Sequence, residues 1–244
     1  MGKSAGLLII GNEILSGKVE DANTPFFARA LRGLGVELRR ATVVPDEVEL
    51  IAAEVRAFSR AYDFVFTSGG VGPTHDDVTI EAVAHAFGRP VVRDPTLEKV
   101  LRDFYRGRVT QAHLKMAEVP EGAELAGGDV LLFPVIAFRN IYIFPGIPEI
   151  LRQKFEAIQE LFRDAPFHLA RVYVNMDEGD LADALNAVLR EFPALQLGSY
   201  PELNAPGYKV KVTIEAKDRG PVDGAVARLQ ALLPPRAVVR VEAP

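Results

Sequence analysis

At 244 residues the chain is long enough for one well-buried core, or for a domain with a smaller companion. Apolar residues make up 48% and charged residues 25%, a globular balance that argues against disorder, and a net charge of −5 without a Lys/Arg-dense run disfavours generic nucleic-acid binding. With no cysteine there are no disulfides, thiolate metal sites or cysteine nucleophiles, and no run of 18 apolar residues exists to span a membrane.

In chain order, "AGLLII" (5–10) reads as a buried strand ending at Gly11, and "TPFFARALRGLG" (24–35) as a helix with apolar residues at Phe26, Phe27, Ala30, Leu31 and Leu34 and a glycine stop. "VELRRATVV" (36–44) predicts a strand, "VELIAAEVRAFSRA" (48–61) an amphipathic helix, and "DFVFTSGG" (63–70) a strand passing into a glycine loop. Helices follow over 78–88 and 97–104, whereas 106–125 reads as polar and turn-rich. Two β-favouring segments, 131–138 and 139–148, precede a helix over 149–162 and a boundary at 163–168 marked by Pro166. The remainder is ordered strand, helix, strand, strand, helix, strand. The expected fold is therefore α/β: a three-layer domain over 1–165 with a mostly parallel sheet, then a small split α+β domain over 168–244. No signal-peptide pattern opens the chain, so a cytoplasmic location is expected.

Ligands of open parallel sheets sit outside the carboxyl ends of the strands. Three polar clusters fall on that edge: "GNEILSGKVEDAN" with Glu13, Asp21 and Asn23; "VVPDE" with Asp46; and "TSGGVGPTHDDVT" (67–79). Glycines let backbone N–H groups surround an anion, and Asp76 and Asp77 would suit a hard divalent cation bridging to a diphosphate. The same residues have plainer readings. Asp77 stands where a helix N-cap belongs, the glycines suit a simple turn, Asp46 follows a proline as cap residues do, and Glu13 and Asp21 suit a wet loop face.

Together these motifs resemble the molybdopterin-binding fold shared by MogA/MoaB and CinA-type proteins. Asp46 and Asp77 match the two functional aspartates of the MogA type, while the Glu13-Ile-Leu-Ser-Gly and Asp76-Asp77 forms look CinA-like. "FPVIAFRNIYIFPGIPEIL" and "LQLGSYPELNAPGYKVKVTIEAKD" look most like the molybdopterin-binding-type domain of eukaryotic FAD synthases. The chain departs from CinA in carrying "GGDVLLFPVI" where that family has Asn-x-x-Gly-Thr-Ala-Pro-Gly. It shows neither the amide-hydrolysing domain of CinA nor the adenylyl-transferring domain of FAD synthase, so those activities are not expected.

The resemblance implies metal-dependent cleavage of a nucleotide diphosphate such as ADP-ribose or FAD, with a homo-oligomeric assembly. Alternatives are adenylylation of a pterin in molybdenum-cofactor assembly, or a non-enzymatic nucleotide- or pterin-binding module. Asp46, Asp76, Asp77 and Glu13 are the catalytic candidates, with Asp76 and Asp77 also holding Mg²⁺, Mn²⁺ or Co²⁺ and K⁺ as a further cation. Ligand contacts are assigned to Ser68, Gly69, Gly70, Val71, Gly72, Thr74, Lys18, Asp21, Asn23, Pro145 and Gly146. The tail is similar to the KH-like part of CinA proteins but lacks a Gly-x-x-Gly clamp, so no nucleic acid is expected there.

Overall fold

A strand covered on both faces is written as an unbroken apolar run rather than an alternation. That is what residues Ser4–Ile10 show: all seven are buried. The computed structural model describes residues 2–203 and 206–244; Asn204 and Ala205, inside the segment likened to FAD synthase, lie outside them. Two units are formed, Met1–Asp164 and Ala165–Pro244.

The first unit runs β1 (Ser4–Ile10), α1 (Asn12–Leu15), α2 (Asn23–Gly33), β2 (Glu37–Val44), α3 (Val48–Ala61), β3 (Phe64–Ser68) and α4 (Thr79–Ala86). It continues with β4 (Val91–Arg93), α5 (Pro95–Tyr105), α6 (Gln111–Lys115), β5 (Glu118–Pro120), β6 (Glu124–Ala126), β7 (Val135–Phe138), β8 (Ile141–Phe144) and α7 (Pro148–Ile158). The main sheet has the order β2-β1-β3-β8-β7-β6. Its first four strands are parallel, and β7 and β6 run antiparallel to their neighbours.

Alternate residues of β1 face opposite layers, as the two-residue period of a strand requires. Leu7 and Ile9 pack with Phe27 and Leu31 of α2 and Phe155 of α7. Leu8 and Ile10 pack with Ile51, Val55 and Phe58 of α3 and with Ala82 and Val83 of α4. This is the expected three-layer arrangement. Phe27 is the hub of the first layer, its ring centroid 5.1 Å from that of Phe66 and 5.2 Å from that of Phe155. Emptying such a site by Phe→Ala typically costs about 3–5 kcal/mol.

The parallel strands finish level with one another. Ile10 is opposite Val44, Ile9 is opposite Ser68, and Ser68 is opposite Phe144. The chain after each strand thus leaves from one row: Gly11, Pro45, Gly69 and Pro145. Connections from β1 pass to β2 on one side, while β3 lies on the other, so the strand order reverses between β1 and β3, where a crevice opens in sheets of this kind.

Residues 106–125 hold more structure than their composition suggests. They contain α6, β5 and the start of β6, and β5 pairs with β4 as a separate two-stranded antiparallel ribbon. Both ribbon strands are three residues long, too short for hydrophobic alternation to register in the sequence. α1 likewise occupies the stretch 11–23 that reads as a loop.

The second unit runs β9 (His168–Val174), α8 (Glu178–Glu191), β10 (Gln196–Pro201), β11 (Val210–Ala216), α9 (Arg219–Leu232) and β12 (Val238–Glu242). Its sheet, β10-β11-β9-β12, is antiparallel throughout and carries the expected split order. In β11 the alternation is clean: Val210, Val212 and Ile214 are buried and pack with Leu181 and Leu185 of α8 and Val222 and Leu229 of α9.

Candidate functional site

The glycine loop after β3 is shaped by two residues in the left-handed region, Gly69 at φ 108° and Gly70 at φ 65°. Only glycine adopts these angles without strain. A Cβ on Gly69 would stand 2.1 Å from the Ile10 carbonyl oxygen, and one on Gly70 would stand 2.4 Å from Thr79 Oγ1. The loop is pinned from three directions: Gly69 N–H donates to Phe144 O at 3.1 Å, Thr79 N–H to Gly70 O at 3.0 Å, and the Thr79 hydroxyl to Gly69 O at 2.8 Å. Among the described residues, the N–H groups of Gly70, Val71 and Gly72 find no acceptor. Successive unpaired N–H groups beside a helix N-terminus are an anion-binding arrangement.

Asp77 does not cap α4. The N-cap is Val78, without a side-chain bond, and Asp77 instead turns back into the loop. Its Oδ2 accepts from Thr74 N–H at 2.8 Å and from the Thr74 hydroxyl at 2.5 Å. Lys115 of α6 donates to Thr74 O at 2.7 Å, bringing a cation to the loop. Gly70, Val71, Gly72, Asp77, Glu81 and Lys115 all line one cavity of about 300 Å³.

A second cluster lies around Asn23, at the start of α2. The side-chain amide donates to Ser68 Oγ at 3.0 Å and to Gly146 O at 2.8 Å, tying α2 to the ends of β3 and β8. Among the described residues its Oδ1 is buried without a partner. Asp21 Oδ1 accepts from the N–H groups of Asn23 and Thr24, so this carboxylate caps α2. Glu13, Asp21, Asn23, Ser68 and Gly146 line a cleft of about 60 Å³.

The structure therefore distributes the predicted residues between two places. Gly70, Val71, Gly72 and Asp77 gather at the first cavity; Glu13, Asp21, Asn23, Ser68 and Gly146 gather at the second. Asp46 accepts from Asn12 N–H at 2.8 Å, which joins the loops after β1 and β2. Asp76 and Lys18 line neither cavity, and Pro145 lines a third, apolar one. Lys115 and Glu81 escaped the sequence reading, because a lone lysine or glutamate in a polar stretch carries no spacing signal.

A three-layer α/β sheet with a glycine loop at its crevice defines the structural class, and comparison with known proteins defines the family. Residues 6–164 match the family described as "Probable molybdopterin binding domain", and the chain belongs to that family. Residues 166–242 match the description "FAD synthase, middle domain". A protein of Archaeoglobus fulgidus is 37% identical over 227 residues, covering 93% of this chain and 96% of that one. A "Probable FAD synthase" of Caenorhabditis elegans is 32% identical over 259 residues, covering 95% of this chain and 50% of that one, so the chain spans about half the length of this relative. The crystal structure of CinA from Thermoplasma acidophilum, titled as a protein of unknown function, matches with a TM-score of 0.60 at 30% identity, over 66% of this chain and 98% of that one. The motif resemblance to molybdopterin-binding, CinA-type and FAD synthase proteins is borne out.

Proposed function

We propose that the chain hydrolyses the diphosphate bond of a nucleotide diphosphate, with ADP-ribose or FAD as the substrate type, in a metal-dependent reaction. The observation that carries this reading is the trio of unpaired N–H groups at Gly70, Val71 and Gly72 facing no protein acceptor beside the N-terminus of α4. Phosphate oxygens satisfy such groups, and Lys115 adds a positive charge to the same cavity. The relatives named as FAD synthases support a nucleotide ligand.

Among the described residues, no group of three or more histidines or carboxylates forms a metal site by itself. Asp77, the one of the two adjacent aspartates that lines the glycine-loop cavity, nevertheless fits a divalent ion held jointly with a ligand, because Mg²⁺ is ordinarily bound by one or two carboxylates plus substrate phosphates and water. When bound, the ion supplies neutralisation of the diphosphate charge. The chain's own part is to hold the diphosphate on the glycine-loop N–H groups and to keep the Asp77 carboxylate in place through Thr74. Water adds to one phosphorus as the bridging P–O bond breaks, giving two phosphate monoesters; its proton passes to a carboxylate at this edge of the sheet.

A pterin ligand, with adenylylation as the chemistry, is the second reading, supported by the family description. A product assay separates them. ADP-ribose and FAD are incubated with Mg²⁺, Mn²⁺ or Co²⁺, with and without chelator, using the intact chain and Asp77→Asn. Monoester products that vanish with chelator and fall at least a hundredfold in the variant support hydrolysis. No turnover with any ion, or turnover untouched by Asp77→Asn, sinks it.

A further inference from the structure

An apolar cavity of about 320 Å³ adjoins the glycine-loop cavity, and the two share Val71, Met116 and Ile136 as a wall. Its size lies at the small end of the range for small-molecule pockets. Phe104, Tyr105 and Phe133 contribute aromatic faces, and Phe104 and Ile150 stand exposed although both are large and apolar. Phe104 meets Phe133 edge-on at 5.5 Å between centroids. Tyr105 is backed by the His113 ring, stacked at 3.8 Å. Phe104 is thus the exposed ring of an aromatic cluster whose other members brace it.

Lys154 of α7 is the only charged residue lining this cavity, among the described residues. Its Nζ donates to Phe133 O at 2.7 Å and to Pro134 O at 3.0 Å. An ammonium has three hydrogens, and among the described residues the third has no acceptor. Burial lowers the Lys154 amine to about 8, so holding a cation there is costly without a further partner. The carbonyl pair fixes the amine in place and leaves one donor for a ligand in the cavity.

We infer that this cavity binds the heteroaromatic ring of the nucleotide, stacked on Phe104, with Lys154 donating to a carbonyl oxygen or ring nitrogen of that ring. The inference rests on the proposed diphosphate site, which lies on the other side of the wall formed by Val71, Met116 and Ile136. Two rings carry this chemistry, a flavin and an adenine, and both would leave their phosphates toward the glycine loop.

Binding is measured without added metal, so that no hydrolysis is required. FMN, AMP and inorganic pyrophosphate are the probes, with the full chain, Phe104→Ala and Lys154→Met. Phe104 is exposed, so its truncation leaves the thermal midpoint nearly unchanged; Lys154→Met is the more demanding variant for folding. The ring probe that binds, FMN for a flavin or AMP for an adenine, is expected to lose at least tenfold in affinity in both variants, while pyrophosphate affinity stays within twofold. Failure of FMN and AMP to bind the unaltered chain at millimolar concentration, or a loss below twofold in Phe104→Ala, overturns the ring site. Failure of pyrophosphate alone counts against the diphosphate reading and leaves the ring result standing.

Discussion

The Ile10 carbonyl oxygen occupies the space beside Gly69 so completely that a Cβ there would come within 2.1 Å of it. Gly69→Ala must therefore displace the end of β1, and it also places an alanine at a φ of 108°. The expected loss is about 2–4 kcal/mol from overlap and backbone strain combined. Gly146→Ala is the control, since its Cβ would lie an ordinary 3.5 Å from Gly69 Cα. Urea unfolding of both variants measures the contrast; equal losses would remove the claim that Gly69 is fixed by contact with β1.

Gly70→Ala separates binding from folding. Its φ of 65° and a 2.4 Å approach to Thr79 Oγ1 predict a stability loss of about 1–3 kcal/mol. Affinity for pyrophosphate should drop by a hundredfold or more, as two charge-assisted bonds of roughly 1.5–3 kcal/mol each are lost. Calorimetry and a thermal midpoint on the same sample decide it. A lowered midpoint beside unchanged affinity would make "SGGVG" a turn and nothing more.

Asn23→Leu tests the joint between α2 and the sheet edge. It removes the donor to Ser68 Oγ and Gly146 O and leaves that carbonyl facing an alkyl group. The cost should be about 1–3 kcal/mol. Because the bonds span 45 and 123 residues in sequence, amide exchange should speed up at the ends of both β3 and β8. Faster exchange confined to α2 would show that the joint is not shared.

The buried amine of Lys154 gives a pH signature. Its value falls from 10.5 to about 8 through desolvation. Between about pH 8 and pH 10.5 the unfolded chain holds one more proton than the folded chain, so stability rises with pH across that window. At lower pH the full cost of the buried charge applies, on the order of 3 kcal/mol. Lys154→Met abolishes this cost but leaves the carbonyls of Phe133 and Pro134 without their donor, offsetting about 1–3 kcal/mol of the gain. Relative to the variant, the unaltered chain should gain stability from pH 7 to pH 10. Parallel unfolding curves at both pH values would show that the amine is not desolvated.

Much of the fold was legible because its strongest elements obey one simple pattern each. β1 is an unbroken apolar run, as a strand between two layers must be, and β11 alternates as a strand with one covered face must. The glycine loop was legible too, since consecutive positive φ angles require glycine. Asp77 was not. A carboxylate one residue ahead of a helix start fits an N-cap, yet its bonds to Thr74 win because two donors of the same turn reach one oxygen. Asn23, Lys115 and Lys154 act through partners far away in sequence, and such meetings leave no periodic trace. The β4–β5 ribbon is held by the pairing of two short segments that neither sequence specifies alone.

The wall formed by Val71, Met116 and Ile136 has two occupied sides once ligands are considered. Any shift of these three side chains that admits a group on one side changes the room available on the other. Thermodynamic linkage makes that effect mutual: whatever factor a phosphate in the glycine loop contributes to affinity across the wall, a group across the wall returns to the phosphate. The two halves of a single bound molecule would thus exert cooperativity on one another through protein as well as through their own covalent bond. A fragment bearing only one half would then bind more weakly than its share of the contacts predicts wherever that factor strengthens binding.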